Sequence, residues 1–154
     1  MTASINLAAS STTHLLHRVG QLADDLLSRS IGDLGITARQ FVVLSVVDGL
    51  ENPSQVKLCE VSGIDHSTIA DIVCRLVGRG LLKRRRTRSD ARTYAIQITA
   101  EGKIVLEKAA PIAQKVDAAL LSSLTPAECE KFKALLKTIV SQSDASQVEQ
   151  AKVA

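Results

Sequence analysis

The chemistry of this chain is concentrated in ten consecutive residues near its middle. Residues 83–92 read KRRRTRSDAR and contain six cations and one anion. The whole chain has a net charge of +3, so this segment carries +5 and the remainder −2. Like charges repel, but against phosphates each neutralising contact releases counterions. The segment therefore predicts an element that faces a polyanion.

The cationic segment lies between two runs with the features of β-strands. The first run is LLKRRR, residues 81–86, and the second is TYAIQI, residues 93–98. In the second, Tyr94, Ile96 and Ile98 alternate with other residues, which is typical of a half-buried strand. The two runs predict a β-hairpin with a long basic tip. An arginine at such a tip can enter a DNA minor groove.

A helix predicted over residues 66–79 precedes the hairpin and has two distinct faces. Asp65 is suited to cap it, and Gly80 follows its end. At about 100° per residue, one side carries Ile69, Ile72, Val73 and Leu76. The other side carries Ser67, Thr68, Asp71, Cys74, Arg75 and Gly78. Any amphipathic helix has a polar face, and the hairpin that follows makes DNA recognition the favoured interpretation.

The polar side chains of this helix suit DNA. Serine and threonine can meet base edges or phosphates, and arginine suits guanine or phosphate. Asp71 could accept from a cytosine amino group, or it could restrain Arg75 four residues later. In the hairpin, Arg84, Arg85 and Arg86 are expected to contact phosphates or solvent.

The elements before this helix complete a helix-turn-helix. Asn52 and Pro53 predict the start of a short helix whose Val56, Leu58 and Val61 face inward. Gly63 then marks a tight turn. A helix-turn-helix places its second helix in the major groove, and the hairpin would act as a wing.

Further helices flank this lobe. Leucines and valines at spacings of three and four predict a helix over 12–30 with a wide apolar arc. Thr37 and Gln40 form a capping box, Thr99 caps a long fifth helix, and Thr125, Pro126 and Glu128 start a sixth. The sixth helix has an apolar stripe: Cys129, Phe132, Leu135, Leu136 and Ile139. The last dozen residues are polar and are expected to fray.

Residues 64–102 resemble the core of MarR-type transcription regulators. The specific part is a wing motif, D-x-R-x-x-x-I-x-I-T-x-x-G, formed by Asp90, Arg92, Ile96, Ile98, Thr99 and Gly102. Leu76, Gly80 and Leu81 match the end of the family's recognition helix and the entry to its wing. The resemblance extends over about residues 12–141, although the flanking helices are generic.

The resemblance implies a mainly α fold with a small β wing, in which a winged helix-turn-helix lobe joins a helical dimerisation region. It implies an N-terminal dimerisation helix over 1–34, a DNA-binding lobe over 35–99, dimerisation helices over 100–141 and a polar tail over 142–154. The homodimer would bind a palindrome in double-stranded DNA. Asp90 would orient the wing and Arg92 would reach the minor groove, with Arg88 at the tip as the second candidate for that contact.

The resemblance also raises the question of an effector. In many MarR-type proteins a small molecule binds between the dimer helices and the winged lobe. His14, His17 and Arg18 share one face of the first helix, where a cation could bind the carboxylate of an organic acid. The alternative, which we favour, is a solvated polar stripe.

The cysteines suggest a second form of regulation. Cys59 and Cys129 have the surroundings of small core residues. Cys74 lies at the edge of the DNA-facing side, where nearby Arg75 would favour a thiolate. Three cysteines without C-x-x-C spacing argue against a disulfide framework or a zinc ribbon.

Composition excludes several classes. With 45% apolar residues the chain can build a core, and no run of apolar residues is long enough for a membrane span. The first residues lack signal-peptide features, which indicates a cytoplasmic protein without membrane contact. No catalytic, cofactor or metal motif is present. We therefore expect a DNA-binding repressor released by an effector, with an architectural DNA-binding protein or a redox-responsive regulator as alternatives.

Overall fold

The computed structural model describes residues 11–86 and 94–153, with side chains described as far as Gln142. The helices are α1 (Thr12–Ile31), α2 (Ala38–Gly49), α3 (Gln55–Ser62), α4 (His66–Gly78), α5 (Ala100–Leu120) and α6 (Pro126–Val153). A 3-10 turn (Gly32–Leu34) follows α1, and strands β1 (Leu82–Arg86) and β2 (Tyr94–Ile98) pair antiparallel. The predicted fold class, mainly α with a small β wing, is confirmed.

The chain forms two compact units, one ending at Asp117 and one starting at Ala118. The first unit contains the hydrophobic core, to which α1 through α5 and both strands contribute. Its largest fully buried side chains include Ile31, Leu44, Leu58, Ile69, Leu76, Leu82 and Ile96. Burial of each such side chain stabilises the fold by about 1.5–3 kcal/mol relative to leaving it exposed. Because α4 and both strands contribute side chains to the same core, the core fixes the positions of all three.

Local sequence determines most helix starts. Thr37 Oγ1 accepts from Gln40 N at 3.3 Å, while Thr37 N donates to Gln40 Oε1 at 3.1 Å. The same reciprocal pattern joins Thr125 and Glu128. Gly63 ends α3 in the left-handed conformation with φ 67°. These predicted caps and this predicted turn are confirmed.

The predicted start of α3 was wrong by two residues. The cap is Ser54, whose Oγ accepts from Lys57 N at 3.2 Å, and not Asn52. Pro53 is instead held against β2, because its carbonyl oxygen accepts from Ile96 N at 2.8 Å. Asn52 takes a positive φ of 51° and accepts from the side chain of Gln97. A partner more than forty residues away thus overrides the local cap.

Two further expectations need correction. Val56 and Val61 are 54% and 49% exposed, so only Leu58 of the three predicted residues is buried. A helix of eight residues presents one narrow stripe to the core. The segment expected to fray was not expected to be helical, but it continues α6 to Val153, and no glycine or proline follows Pro126 to end a helix; its fraying stays a prediction.

Apolar side chains on α1 remain partly exposed in the single chain. Leu15 and Leu22 are 48% and 53% exposed, whereas Ile31 at the C-terminal end of α1 is fully buried. Among the described residues no single helix is long and apolar enough to cross a membrane. One pair of helices has the length and apolar composition of a membrane span when taken together: α1 with its 3-10 turn, and α2. The two are bent by 77° relative to each other.

The wing is fastened to α5 by the last part of the sequence motif. Thr99 Oγ1 donates to the carbonyl oxygen of Gly80 at 2.6 Å and accepts from Gly102 N at 3.0 Å. Thr99 N donates to Leu81 O at 3.1 Å. A Cβ on Gly102 would lie 2.2 Å from that same Leu81 oxygen, so only glycine permits this approach.

Replacing Gly102 with alanine should therefore destabilise the protein. The clash involves backbone, which cannot rotate away, and overpacking of this kind costs about 1–3 kcal/mol. Chemical denaturation followed by circular dichroism measures the effect. Gly49→Ala is the matched control, because nothing lies within 4 Å of its added Cβ. Equal stability of the two variants would contradict the close approach.

Candidate nucleic-acid interface

The two faces of α4 lie as the sequence predicted. Ile69, Val73 and Leu76 are fully buried and Ile72 nearly so. The opposite face is open to solvent, with Thr68 half-buried and the remaining residues exposed: Ser67, Asp71, Cys74, Arg75 and Gly78. Core packing on one side thus fixes which side chains α4 offers to a ligand.

Asp65 caps α4 with both carboxylate oxygens. Its Oδ1 accepts from Thr68 N at 2.9 Å and from Ser67 Oγ at 2.6 Å. Its Oδ2 accepts from Thr68 Oγ1 at 2.6 Å. These bonds, the one from Ser67 first, hold the pKa of Asp65 well below its usual range. Sequence reasoning found the cap but missed the two hydroxyls, although the order D-x-S-T is the signal for them.

Asp71 and Arg75 form an ion pair one turn further along α4. Arg75 Nε lies 2.9 Å from Asp71 Oδ2, and both side chains are mostly exposed. This ion pair agrees with one of the two roles considered for Asp71, a restraint on Arg75, and the role of Asp71 toward DNA stays a prediction. Because the pair uses Nε, the terminal Nη groups remain for a base or phosphate. An exposed pair of this kind contributes little to stability.

Strand β1 carries four exposed cations beside α4. Leu82 is buried and anchors the strand, while Lys83, Arg84, Arg85 and Arg86 are all exposed. Side chains alternate along a strand, so Arg84 and Arg86 share one face and Lys83 and Arg85 the other. No carboxylate in the described residues lies within ion-pair distance of these cations.

Three predicted wing residues, Arg88, Asp90 and Arg92, lie outside the described residues. Their roles therefore stay predictions. Tyr94, which follows them, is 42% exposed, whereas Ala95 and Ile96 are buried. The predicted alternation of β2 holds at Ile96 but not at Tyr94, which was expected on the buried face, nor at Ala95, which was expected on the other face.

Of the candidate effector residues, only Arg18 lines the cavity on α1 that the described residues form. His14, His17 and Arg18 are exposed on α1. Arg18 lines a shallow cavity of about 450 Å³ with Gln21, Leu22, Asp24 and Asp25, and neither histidine lines it. Two carboxylates beside one guanidinium disfavour an anionic ligand in this cavity of the single chain. The described residues also contain no cluster of three or more His, Cys, Asp or Glu that could hold a metal ion.

The cysteines are free thiols with different surroundings. Cys74 is exposed on α4. Cys59 is half-buried at the edge of the core, with Sγ 3.4 Å from His66 Nδ1, and burial raises the pKa of its thiol. Cys129 is also only half-buried, with its thiol facing the carbonyl oxygens of Leu121 and Leu124. The expectation of two core cysteines therefore holds only in part.

Comparison with known proteins agrees with this geometry. A sequence model of the MarR family matches residues 34–93. The transcriptional regulator HosA of Escherichia coli is 30% identical over 125 residues, which cover 80% of this chain and 93% of HosA. The solved structure of BpsR from Bordetella bronchiseptica has a TM-score of 0.81 at 28% identity, covering 85% of this chain and 94% of BpsR. A MarR mutant of Escherichia coli complexed with operator DNA has a TM-score of 0.77 at 29% identity, covering 82% and 91%.

The fold and the exposed face of α4 thus define a winged-helix DNA-binding protein. The comparisons are more specific, because they match both the lobe and most of the chain around it. The chain belongs to the MarR family of transcription regulators.

The cations of β1 should supply affinity without sequence preference. Arg84→Ala should weaken binding to all duplexes alike. Affinity falls as salt rises, and in the variant this fall should be less steep, by about one unit of log affinity per unit of log salt for each phosphate that is no longer neutralised. Fluorescence anisotropy at salt concentrations from about 50 to 200 mM measures both effects. Lys108→Ala, an exposed cation on α5, is the control. An unchanged salt slope in Arg84→Ala would remove β1 from the interface.

Proposed function

We propose that the protein is a homodimeric repressor that binds a palindromic operator and is released by a small organic acid. The observation that carries the proposal is the exposed polar face of α4 beside the exposed cations of β1, on a lobe with one hydrophobic core. Such a surface combines groups for base edges with groups for phosphates. The chain belongs to the MarR family of transcription regulators, which supports a regulatory role for this DNA binding.

The dimer is supported by apolar side chains that the single chain leaves exposed. On α1 these include Leu15 and Leu22, and on α6 Leu135, Ile139 and Val140 are 53–60% exposed. Contiguous apolar surface on a helix favours burial against a partner. In this proposal residues 1–34 and 100–141 form the dimer region, residues 35–99 form the DNA-binding lobe, and two lobes meet two half-sites.

The DNA contacts divide by element. On α4, Ser67, Thr68 and Arg75 read bases, with Asp71 holding Arg75. On the wing, Arg84 and Arg86 contact phosphates. Arg88 and Arg92 are wing-tip contacts on the sequence motif alone, with Asp90 orienting Arg92. An arginine held by a carboxylate before binding loses less side-chain freedom when it meets DNA.

The effector is proposed by likeness to a relative. The structure of BpsR is described as explaining regulation of its DNA binding by 6-hydroxynicotinic acid, an aromatic acid. His14, His17 and Arg18 are the candidate partners for such a carboxylate here. Because they are exposed on α1, a pocket around them would need surfaces contributed by the dimer.

A release assay tests the proposal. The chain first selects its preferred duplex from a randomised pool, and anisotropy then measures competition by random DNA and release by aromatic acids and their thioesters. We expect the selected duplex to outcompete random DNA by at least about 10³-fold. At least one acid should weaken binding. Arg18→Ala should raise the acid concentration needed, with Arg39→Ala, an exposed arginine of α2, as control.

The outcomes separate the candidate functions. Equal competition by random DNA would contradict a sequence-specific regulator and favour an architectural protein. Specific binding that no acid weakens would contradict the effector and leave the regulator. Release that responds only to thiol oxidation would replace the acid by a redox switch.

A further inference from the structure

We propose that Asp65 sets the base preference of α4 by holding the hydroxyl protons of Ser67 and Thr68, so that both hydroxyls accept hydrogen bonds in the major groove. The inference rests on the proposed function, because it takes the exposed face of α4 as the base-reading surface. The groups selected are the exocyclic amino groups of adenine and cytosine, which are the donors in that groove.

The direction of the two hydrogen bonds follows from counting protons. An ionised carboxylate can only accept, and a hydroxyl has one proton to donate. Both oxygen–oxygen distances are 2.6 Å, the short spacing of bonds to a charged acceptor. Ser67 and Thr68 must therefore donate to Asp65. Each hydroxyl then presents only lone pairs to any further ligand.

The two hydroxyls lie where a helix-turn-helix meets base edges, so whether they donate or accept hydrogen bonds affects which bases are bound. They occupy the first turn of α4, and in a helix-turn-helix the first residues of the second helix meet base edges. Guanine and thymine present oxygen or nitrogen acceptors in the major groove, so hydroxyls without a free proton cannot bond to them. Phosphate oxygens are excluded for the same reason.

The charge of Asp65 adds to this discrimination. A helix N-terminus ordinarily favours an anion, but here an exposed carboxylate already occupies the cap. A DNA phosphate at this position would meet like charge. The first turn is therefore suited to base amino groups and unsuited to the backbone.

Every base pair carries one amino-bearing base in the major groove, on one strand or the other. The preference therefore appears as adenine or cytosine over guanine or thymine on the contacted strand. A single hydrogen bond of ordinary strength corresponds to about a two- to tenfold preference. Two neighbouring positions in each half-site should show it.

The substitution Asp65→Asn reverses the direction of one hydrogen bond, the one to the hydroxyl of Thr68, and keeps the helix cap. Asparagine caps helices about as well as aspartate, with its oxygen in the place of Oδ1, where Thr68 N and Ser67 Oγ donate. Its amino group then replaces Oδ2 and donates to Thr68 Oγ1. The proton of Thr68 becomes free to point at DNA, whereas that of Ser67 stays held.

Selection from a randomised duplex pool by the full chain is the test. Wild type should enrich adenine or cytosine at both positions. Asp65→Asn should reverse one position toward guanine or thymine, and Thr68→Val, which keeps the shape without the hydroxyl, should abolish preference at that same position. Glu60→Gln removes an equal charge from a residue that, among the described residues, pairs with Lys57, and it should select the wild-type sequence.

Each contrary result has a distinct meaning. If Asp65→Asn selects the wild-type sequence while Thr68→Val does not, the proton arrangement is wrong and base reading by α4 stands. If Ser67→Ala and Thr68→Val both select the wild-type sequence, neither hydroxyl reads a base, and the role proposed for them fails as well. If Asp65→Asn binds all sequences more tightly with an unchanged preference, the first turn faces phosphate and the proposal is overturned.

Discussion

Ile69, Ile72, Val73 and Leu76 pack into the core from one side of α4, and the rest of the interface depends on that packing. With four apolar side chains buried, the helix cannot rotate without exposing them at a cost of several kcal/mol. The side chains on the other face are thereby held outward. The protein thus presents a fixed set of short polar groups and one arginine on this helix.

The wing is positioned by the same core through a second constraint. Leu82 and Ile96 are buried within it, and Thr99 ties Gly80 and Leu81 to the start of α5. Gly102 then packs against the Leu81 carbonyl more closely than any side chain would permit. The T-x-x-G part of the family motif therefore has a structural role, since it fixes the wing to α5 by hydrogen bonds and close packing. The cations before it are the part that can contact DNA. The division explains why one short motif contains both charged and small residues.

The sequence predicted what is decided within a few residues. The caps at Thr37 and Asp65 and the two faces of α4 depend on side chains three or four positions apart, and all are found as expected. The start of α3 was misplaced because Asn52 and Pro53 are held by β2, a contact that no local pattern reveals. The hydroxyl bonds of Asp65 were missed although local, since a capping pattern does not state where serine and threonine protons point. The DNA and effector roles of individual residues remain predictions, those of Arg88, Asp90 and Arg92 from the sequence alone.

The central claim is that the exposed face of α4 enters the major groove. Methylation protection by dimethyl sulfate tests it directly, because the reagent attacks guanine N7 in the major groove and adenine N3 in the minor groove. On the duplex selected by the protein, we expect guanine N7 protection in two clusters spaced by about one helical turn, roughly 10 base pairs, or a multiple of it. Adenine N3 protection should flank these clusters where the wing reaches the minor groove. Guanine N7 atoms that stay reactive throughout the bound site, with protection only at adenine N3, would contradict the account.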